Sequence, residues 1–243
     1  STPLLRAGGT AMEGRLGAER VAYRDDSLFG ELRRRRLGIV QLGVDGATDM
    51  AAGRMGFDLR ARVGRADLSG NAGDLAADAA ASRVQGRFLR LSWLVEYLQP
   101  AGSGSVVLRA RGQWADRNLD ATQKFFLGGA HRVRAFPQME ATGDAGWLGG
   151  IEWRRPLGAG LEGRLFADTG SIRVNARPWV AQRNSHSLSG LGAGATWEMP
   201  DRLRLDADLA LQAGGNAGRN PDGSDSDARA ARWRLWLSLS RSF

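Results

Sequence analysis

The sequence predicts an all-β protein, an antiparallel transmembrane β-barrel of the outer-membrane type. Three observations predict it. Apolar and charged side chains alternate at period two in one segment after another. The links between these segments are alternately short and long. No stretch approaches the roughly 18 consecutive apolar residues of a membrane-crossing helix. Short turns at one end and long polar loops at the other are the signature of an outer-membrane barrel, whose tilted strands need about ten residues to cross.

Composition narrows the chemistry. Among 243 residues, 34 are basic and 26 acidic, giving a net charge of +8, and Lys124 is the only lysine. With no cysteine, disulfides, zinc ribbons and thiol nucleophiles are excluded. Two histidines make a His-rich metal site or a His relay a poor reading. No cofactor and no metal are expected. The chain opens Ser-Thr-Pro-Leu-Leu, without an initiator Met or a signal peptide, and so reads as a processed or truncated piece.

Ten strands follow one another, with a stub before Thr10. Residues 11–24 begin in one register, and Val21 and Tyr23 shift to the other, which suggests a bulge. Residues 36–46 send Val40, Leu42 and Val44 outward, while Leu37 and Ile39 interrupt the polar inner face. Residues 55–63 oppose Met55, Phe57, Leu59, Ala61 and Val63 to Asp58, Arg60 and Arg62. Residues 89–97 set Leu89, Leu91, Trp93, Val95 and Tyr97 against Arg90, Ser92 and Glu96. Residues 106–114 set Leu108, Ala110 and Trp114 against Arg109, Arg111 and Gln113.

The second half alternates more cleanly. Residues 147–154 oppose Trp147, Ile151 and Trp153 to Glu152 and Arg154. Residues 161–170 oppose Leu161, Leu165 and Ala167 to Glu162, Arg164, Phe166 and Asp168. Residues 191–197 alternate Leu191, Ala193, Ala195 and Trp197 with glycine and threonine. Residues 203–211 alternate leucine and alanine with Arg204, Asp206 and Asp208. Residues 232–243 end the chain on Phe243, with Trp236 and Arg241 out of step. A helix would scatter these residues around its circumference, whereas a strand gives each set its own face.

The long links span about 65–85, 115–146, 171–188 and 213–230, and the short turns include 155–158 and 198–201. Residues 216–227 are almost all small and polar and read as a flexible solvated loop. Alternation alone does not separate a soluble β-sandwich, whose apolar face is its core, from a barrel, whose apolar face meets lipid. The loop asymmetry, the terminal aromatic and an inner face carrying both acids and arginines favour the barrel.

Residues 125–157 read FFLGGAHRVRAFPQMEATGDAGWLGGIEWRRPL. This stretch resembles the signature of the outer-membrane transporters of two-partner secretion, the haemolysin-activator or TpsB family. The resemblance rests on Phe126 to Gly129 (one residue closer than the spaced version), on Val133-Arg134-Ala135-Phe136, and on Gly143-Asp144-Ala145-Gly146. Leu165 to Gly170 resembles the family's Phe-x-Asp-x-Gly strand motif, here Phe166, Asp168 and Gly170. Ala135 stands where the family has glycine, and would alter the loop tip if that position needs a positive φ.

The resemblance implies that residues 1–243 are the C-terminal part of a roughly sixteen-stranded barrel, with the POTRA domains absent from this chain. It implies that the loop at 115–146, with glycines such as Gly128 and Gly129, folds into the lumen and that Arg134 pairs with Asp168. It implies secretion and activation of a large exoprotein of haemolysin, adhesin or haem-binding type through the lumen, and not an enzyme. The implied partners are the TpsA-type exoprotein, outer-membrane lipid and the barrel-assembly machinery, which would read Phe243. The implied site is the outer membrane of a Gram-negative bacterium. An insertase of the same superfamily, and less so a barrel enzyme, are the alternative readings.

Other motifs carry little. Arg33 to Arg36 is an ordinary strand-end charge run, and no nucleic-acid partner is expected. Ser185-His186-Ser187 near Asp168 lacks a fixed acid partner for a triad. Asp222, Asp225 and Asp227 lack EF-hand spacing and a closing Glu.

Overall fold

The computed structural model of the chain describes residues 2–28 and 30–242. Phe243, expected to act as an assembly signal, lies outside the described residues. Period-two alternation is satisfied by ladder pairing, and the structure places the alternating segments in one antiparallel sheet of eleven strands. They are β1 (Thr2–Ala7), β2 (Thr10–Ser27), β3 (Gly30–Met50), β4 (Gly53–Asp67), β5 (Gly86–Ala101), β6 (Gly104–Ala115), β9 (Ala145–Gly158), β10 (Leu161–Arg173), β11 (Ser185–Met199), β12 (Leu203–Gln212) and β13 (Trp233–Arg241). Two further strands, β7 (Phe125–Phe126) and β8 (Thr142–Gly143), pair with each other within the link between β6 and β9. The stub before Thr10 is therefore a full strand, and the sheet has eleven members where ten were expected, with β1 and β13 at its edges.

The strands run as a meander, each pairing with its neighbour in the chain apart from the β7–β8 excursion. One end of the sheet carries links at residues 8–9, 51–52, 102–103, 159–160 and 200–202. The other carries the links at 68–85, 116–144, 174–184 and 213–232, and residue 28 after β2. The asymmetry read from the sequence is thus real, although 155–158 remain in β9 and the turn follows them. The polar link 68–85 also contains a helix, α1 (Ala72–Ala80), whose N-cap Asn71 accepts from the Asp74 backbone N–H. Its nine residues fall short of the length at which helical periodicity becomes legible.

Burial decides which face is which. The inner face is the one that carries the 116–144 link, and there Glu152, Arg164, Asp168, Gln212 and Arg234 are buried. The opposite face exposes Leu42, Leu108, Ile151, Leu165, Leu209 and Leu235, and Leu237 is 66% exposed. A sandwich would bury the leucines and expose the charges. A broad apolar outer face in a single sheet is what a lipid-facing wall requires. No helix among the described residues is long and apolar enough to cross a membrane, so any crossing is made by strands.

The expected bulge inside residues 11–24 is absent. The β2–β3 register runs unbroken from Thr10 to Asp25, and the irregularities fall in β1 at Pro3/Leu5 and at Asp25/Asp26. Val21 and Tyr23 have not changed face. Val21 pairs with Leu37, and Leu37, Ile39, Phe88, Ala115 and Leu119 form a buried apolar cluster at the loop end of the inner face. The inner wall switches from charged to apolar where it meets the inserted link, and this change mimics a register shift in the sequence.

Candidate functional site

The 116–144 segment leaves β6, folds over the inner face and returns to β9. Its first turn is held by Asp120, which caps residues 121–123 by accepting from the Thr122 N–H. The β7–β8 ribbon forms a neck, beyond which the chain closes a compact tip. There Val133 N–H donates to Leu127 O at 2.9 Å and Gly129 N–H to Phe136 O at 3.1 Å. Glycine is required at two places. Gly129 has φ +129°, and a Cβ on Gly128 would stand 2.1 Å from Pro137 O. Gly128 and Gly129 thus make the tight turn that opens the tip.

The tip is anchored first by apolar packing. Leu127, Val133, Ala135 and Phe136 are wholly buried and pack with Phe166, Ile172, Leu188 and Ala210 of the wall. Ala135 keeps a negative φ, so alanine strains nothing in the backbone here. Its methyl group instead occupies space left by the wall at Gly190, where an added Cβ would come within 2.5 Å of the Ala135 Cβ.

Arg134 supplies the polar anchor. Its Nε donates to Asp168 Oδ2 at 2.8 Å and its Nη2 to Asp168 Oδ1 at 2.9 Å, a bidentate pair. Nη1 donates to Glu152 Oε2 at 2.7 Å and lies 3.8 Å from Asp208 Oδ2. The guanidinium plane stands 3.3 Å above the centre of the Phe166 ring. Asp168 and Phe166 alternate along β10 and therefore share the inner face, one giving charge and the other a stacking surface. Arg154 takes the second Glu152 oxygen at 2.6 Å, and Arg164 takes Asp208 at 2.6 Å. The carboxylates are thus shared among three arginines in a desolvated network.

The neck is tied separately. Asp144 is fully buried, with its Oδ1 2.8 Å from Lys124 Nζ and accepting from the Leu119 N–H. Its Oδ2 accepts from the Ala176 N–H at 2.8 Å and so fixes the 174–184 link. The chain's single lysine therefore has a defined partner. Gly143 and Gly146 lie against the β10 backbone, Gly143 near Arg173 O and Gly146 near Ser171 O. Gly170 leaves room on β10 for the Leu127 side chain.

Three participants escaped the sequence reading as anchors. Glu152 is one charged residue of an alternating strand, without a motif of its own. Trp236 was out of step in β13, and this was a usable signal: its indole N–H donates to the Arg134 carbonyl at 2.7 Å. The 213–232 link is the third and corrects an expectation. It is an ordered structure built on Asp225, which is fully buried and accepts from Gln212 Nε2 at 2.7 Å and Arg234 Nη2 at 3.0 Å. Asn216 and the Ser226 N–H both donate to Glu140, joining this link to the base of the inserted tip. Its small polar residues are turn-formers and carboxylate donors, a composition shared with mobile loops. Exposed Asp222 has its carboxyl held below the usual range by the Ser224 hydroxyl and N–H.

The remaining motifs find ordinary places. Arg35 bridges Asp74 and Asp120 at 2.7 and 3.1 Å, pinning α1 to the inserted link. His186 Nδ1 is buried with no hydrogen-bond partner among the described residues, and Ser187 Oγ donates to Ser171 Oγ.

Comparison with known proteins follows the same lines. Among solved structures, CdiB from Escherichia coli aligns with a TM-score of 0.72 and 16% identity, covering 99% of this chain and 44% of that one. CdiB from Acinetobacter baumannii aligns with a TM-score of 0.70 and 18% identity, covering 98% of this chain and 40% of that one. The chain therefore spans about two fifths of the length of these two proteins. A search of curated proteins finds no match. The model of the haemolysin secretion/activation protein family ShlB/FhaC/HecB matches residues 9–197. An eleven-stranded outer-membrane-type wall, its inserted Val-Arg-Ala-Phe loop and this match over most of its length agree, and the chain belongs to the ShlB/FhaC/HecB family of haemolysin secretion/activation proteins.

Proposed function

We propose that the chain is the C-terminal part of an outer-membrane transporter that secretes a large exoprotein through its lumen by two-partner secretion. Membership of a secretion-protein family supports this reading over a barrel-assembly insertase or an enzyme. The single observation that carries the mechanism is the bidentate Arg134–Asp168 pair. It fastens a loop to the wall with contacts that can be exchanged for water or for a passing chain.

In this reading the tip 128–137 occupies the lumen at rest. Val133, Ala135 and Phe136 seat it, Arg134 locks it to Asp168 and Glu152, and Gly128 and Gly129 let it turn. Asp144, with Gly143 and Gly146, holds the neck while the tip moves. An unfolded TpsA-type exoprotein of haemolysin, adhesin or haem-binding type displaces the tip, and the lining arginines and carboxylates solvate it in transit. Paired charges serve this better than bare ones, because a chain bound tightly to an uncompensated charge would not leave. The apolar outer wall meets outer-membrane lipid, and Phe243 serves delivery by the barrel-assembly machinery.

Secretion is tested by expressing the full-length protein with a TpsA-type exoprotein from the same genome and measuring exoprotein in the medium. Release that depends on the protein, and falls with Arg134→Ala while heat-modifiable migration shows an assembled barrel, supports the reading. Equal release with and without the protein overturns it.

A further inference from the structure

Away from the lumenal network, three links meet around a recess of about 320 Å³, lined by Arg83 of 68–85, Arg117 and Asn118 of 116–144, and Arg177 and Trp179 of 174–184. Its charge is one-sided. Among the described residues, the side chains of Arg83, Arg117 and Arg177 each donate only to a backbone carbonyl, those of Ala79, Gln85 and Asp116 respectively. Among the described residues none of the three has a carboxylate within salt-bridge distance. Three arginines that line one recess without a carboxylate partner among the described residues leave guanidinium donors for an external oxyanion.

The recess is built rather than incidental. Asn118 is buried and donates to the carbonyls of Ser82 at 2.7 Å and Arg177 at 2.9 Å, while its Oδ1 accepts from the Arg177 N–H at 2.8 Å. One side chain thereby fixes the two outer links that carry Arg83 and Arg177. Arg83 itself is held at φ 52°, an unfavourable conformation for a residue with a Cβ. Trp179 also lines the recess and is 42% exposed.

We propose that this recess binds a phosphate monoester carried on a sugar, the arginines taking the phosphate oxygens and Trp179 stacking on the sugar ring. The volume suits a monosaccharide phosphate, at the lower end of the range for small-molecule sites. Arginine forks match phosphate oxygens in pairs, and an aromatic face complements the C–H surface of a pyranose.

The experiment is calorimetric titration of the detergent-solubilised full-length protein with glucose 6-phosphate, inorganic phosphate and glucose. A parallel titration uses mixed micelles carrying monophosphoryl lipid A, to distinguish a soluble from a lipid-borne source. Saturable binding of glucose 6-phosphate or of the lipid-borne sugar phosphate, and none of glucose, is expected. Arg177→Gln and Arg117→Gln should each weaken it roughly tenfold, the loss of one charge-assisted contact. Trp179→Ala should weaken the sugar phosphate but not inorganic phosphate. Arg177 is exposed and its substitution leaves the Asn118 contacts to its backbone intact, so that variant keeps the test valid if Arg117→Gln misfolds. Absence of saturable binding by every phosphate probe, or binding unchanged in Arg177→Gln, overturns the site. Equal affinity for phosphate and sugar phosphate overturns the sugar.

Discussion

The indole N–H of Trp236 donates to the backbone carbonyl of Arg134 across 2.7 Å, so the residue out of step in the last strand holds the tip of a loop 102 positions earlier. Trp236→Phe keeps an aromatic side chain, though a smaller one, and removes the donor. It should loosen the tip by about 1 kcal/mol, raising the exchange of the Arg134–Phe136 amides roughly fivefold. Hydrogen exchange followed by mass spectrometry reads this directly, and unchanged exchange would show that the contact does not hold the loop.

Arg134→Ala should be the more severe partner of its pair. It strips Asp168 of its only ion pair among the described residues, whereas Glu152 keeps Arg154 and Asp208 keeps Arg164. Breaking a buried pair costs about 3–5 kcal/mol by leaving an uncompensated charge. Asp168→Ala leaves Arg134 with Glu152 and should cost less. The double variant should fall well short of the sum, because the lost contact is shared. Thermal unfolding and secretion of the three variants check this, and strict additivity would place the residues in independent roles.

Gly190 and Ala135 form a size-complementary couple. Gly190→Ala sets two methyl carbons 2.5 Å apart and should cost about 1–3 kcal/mol of overpacking. Adding Ala135→Gly removes the clash and should restore most of the loss, while Ala135→Gly alone is close to neutral. Protease sensitivity of the tip measures all three, and a failure of rescue would mean that Gly190 is constrained by its own strand neighbours.

The two faces of β13 should respond oppositely to charge. Leu237→Arg places a cation on the apolar outer face and should cost about 2–4 kcal/mol near the bilayer midplane. Ser238→Arg, one residue on, enters the polar inner face beside Asp206 and should cost far less. Urea titration of folding into lipid vesicles distinguishes them, and equal losses would contradict the assignment of faces.

Acid should release α1. The Arg35 hydrogen bonds hold the Asp74 carboxyl below the ordinary carboxylate range. A depressed folded-state pKa contributes stability that is complete above the unfolded value of about 4 and is lost as pH falls through the lower folded value. Proteolysis in the 68–85 link by an acid-active protease should therefore rise steeply only below about pH 4. Asp74→Asn should remove that step, and an identical acid profile in the variant would assign it elsewhere.

What the sequence determined by itself is whatever repeats locally. Alternation from Met55 to Leu239 specified strands, their order and their two faces, because a period of two is a property of adjacent residues. The short and long links specified the two ends, and the ordered motifs at Phe126, Val133 and Phe166 pointed to the family. The tertiary structure decided whatever depends on residues distant in the chain. Alternation is the same for a core and for a lipid face, so the outward leucines were read from the loop asymmetry and the charged inner face, and burial then fixed the assignment. Val21 imitated a bulge because the inner wall turns apolar at its partner Leu37, which packs with Leu119 of the distant link, and that contact has no local trace. Residues 216–227 had the composition of a mobile loop, yet Asp225 gathers Gln212, Arg219 and Arg234 around a buried charge. Glu152 and Trp236 joined the Arg134 anchor for the same reason: a hydrogen bond between the inserted loop and the inner face is fixed by the fold, and no spacing along the chain encodes it.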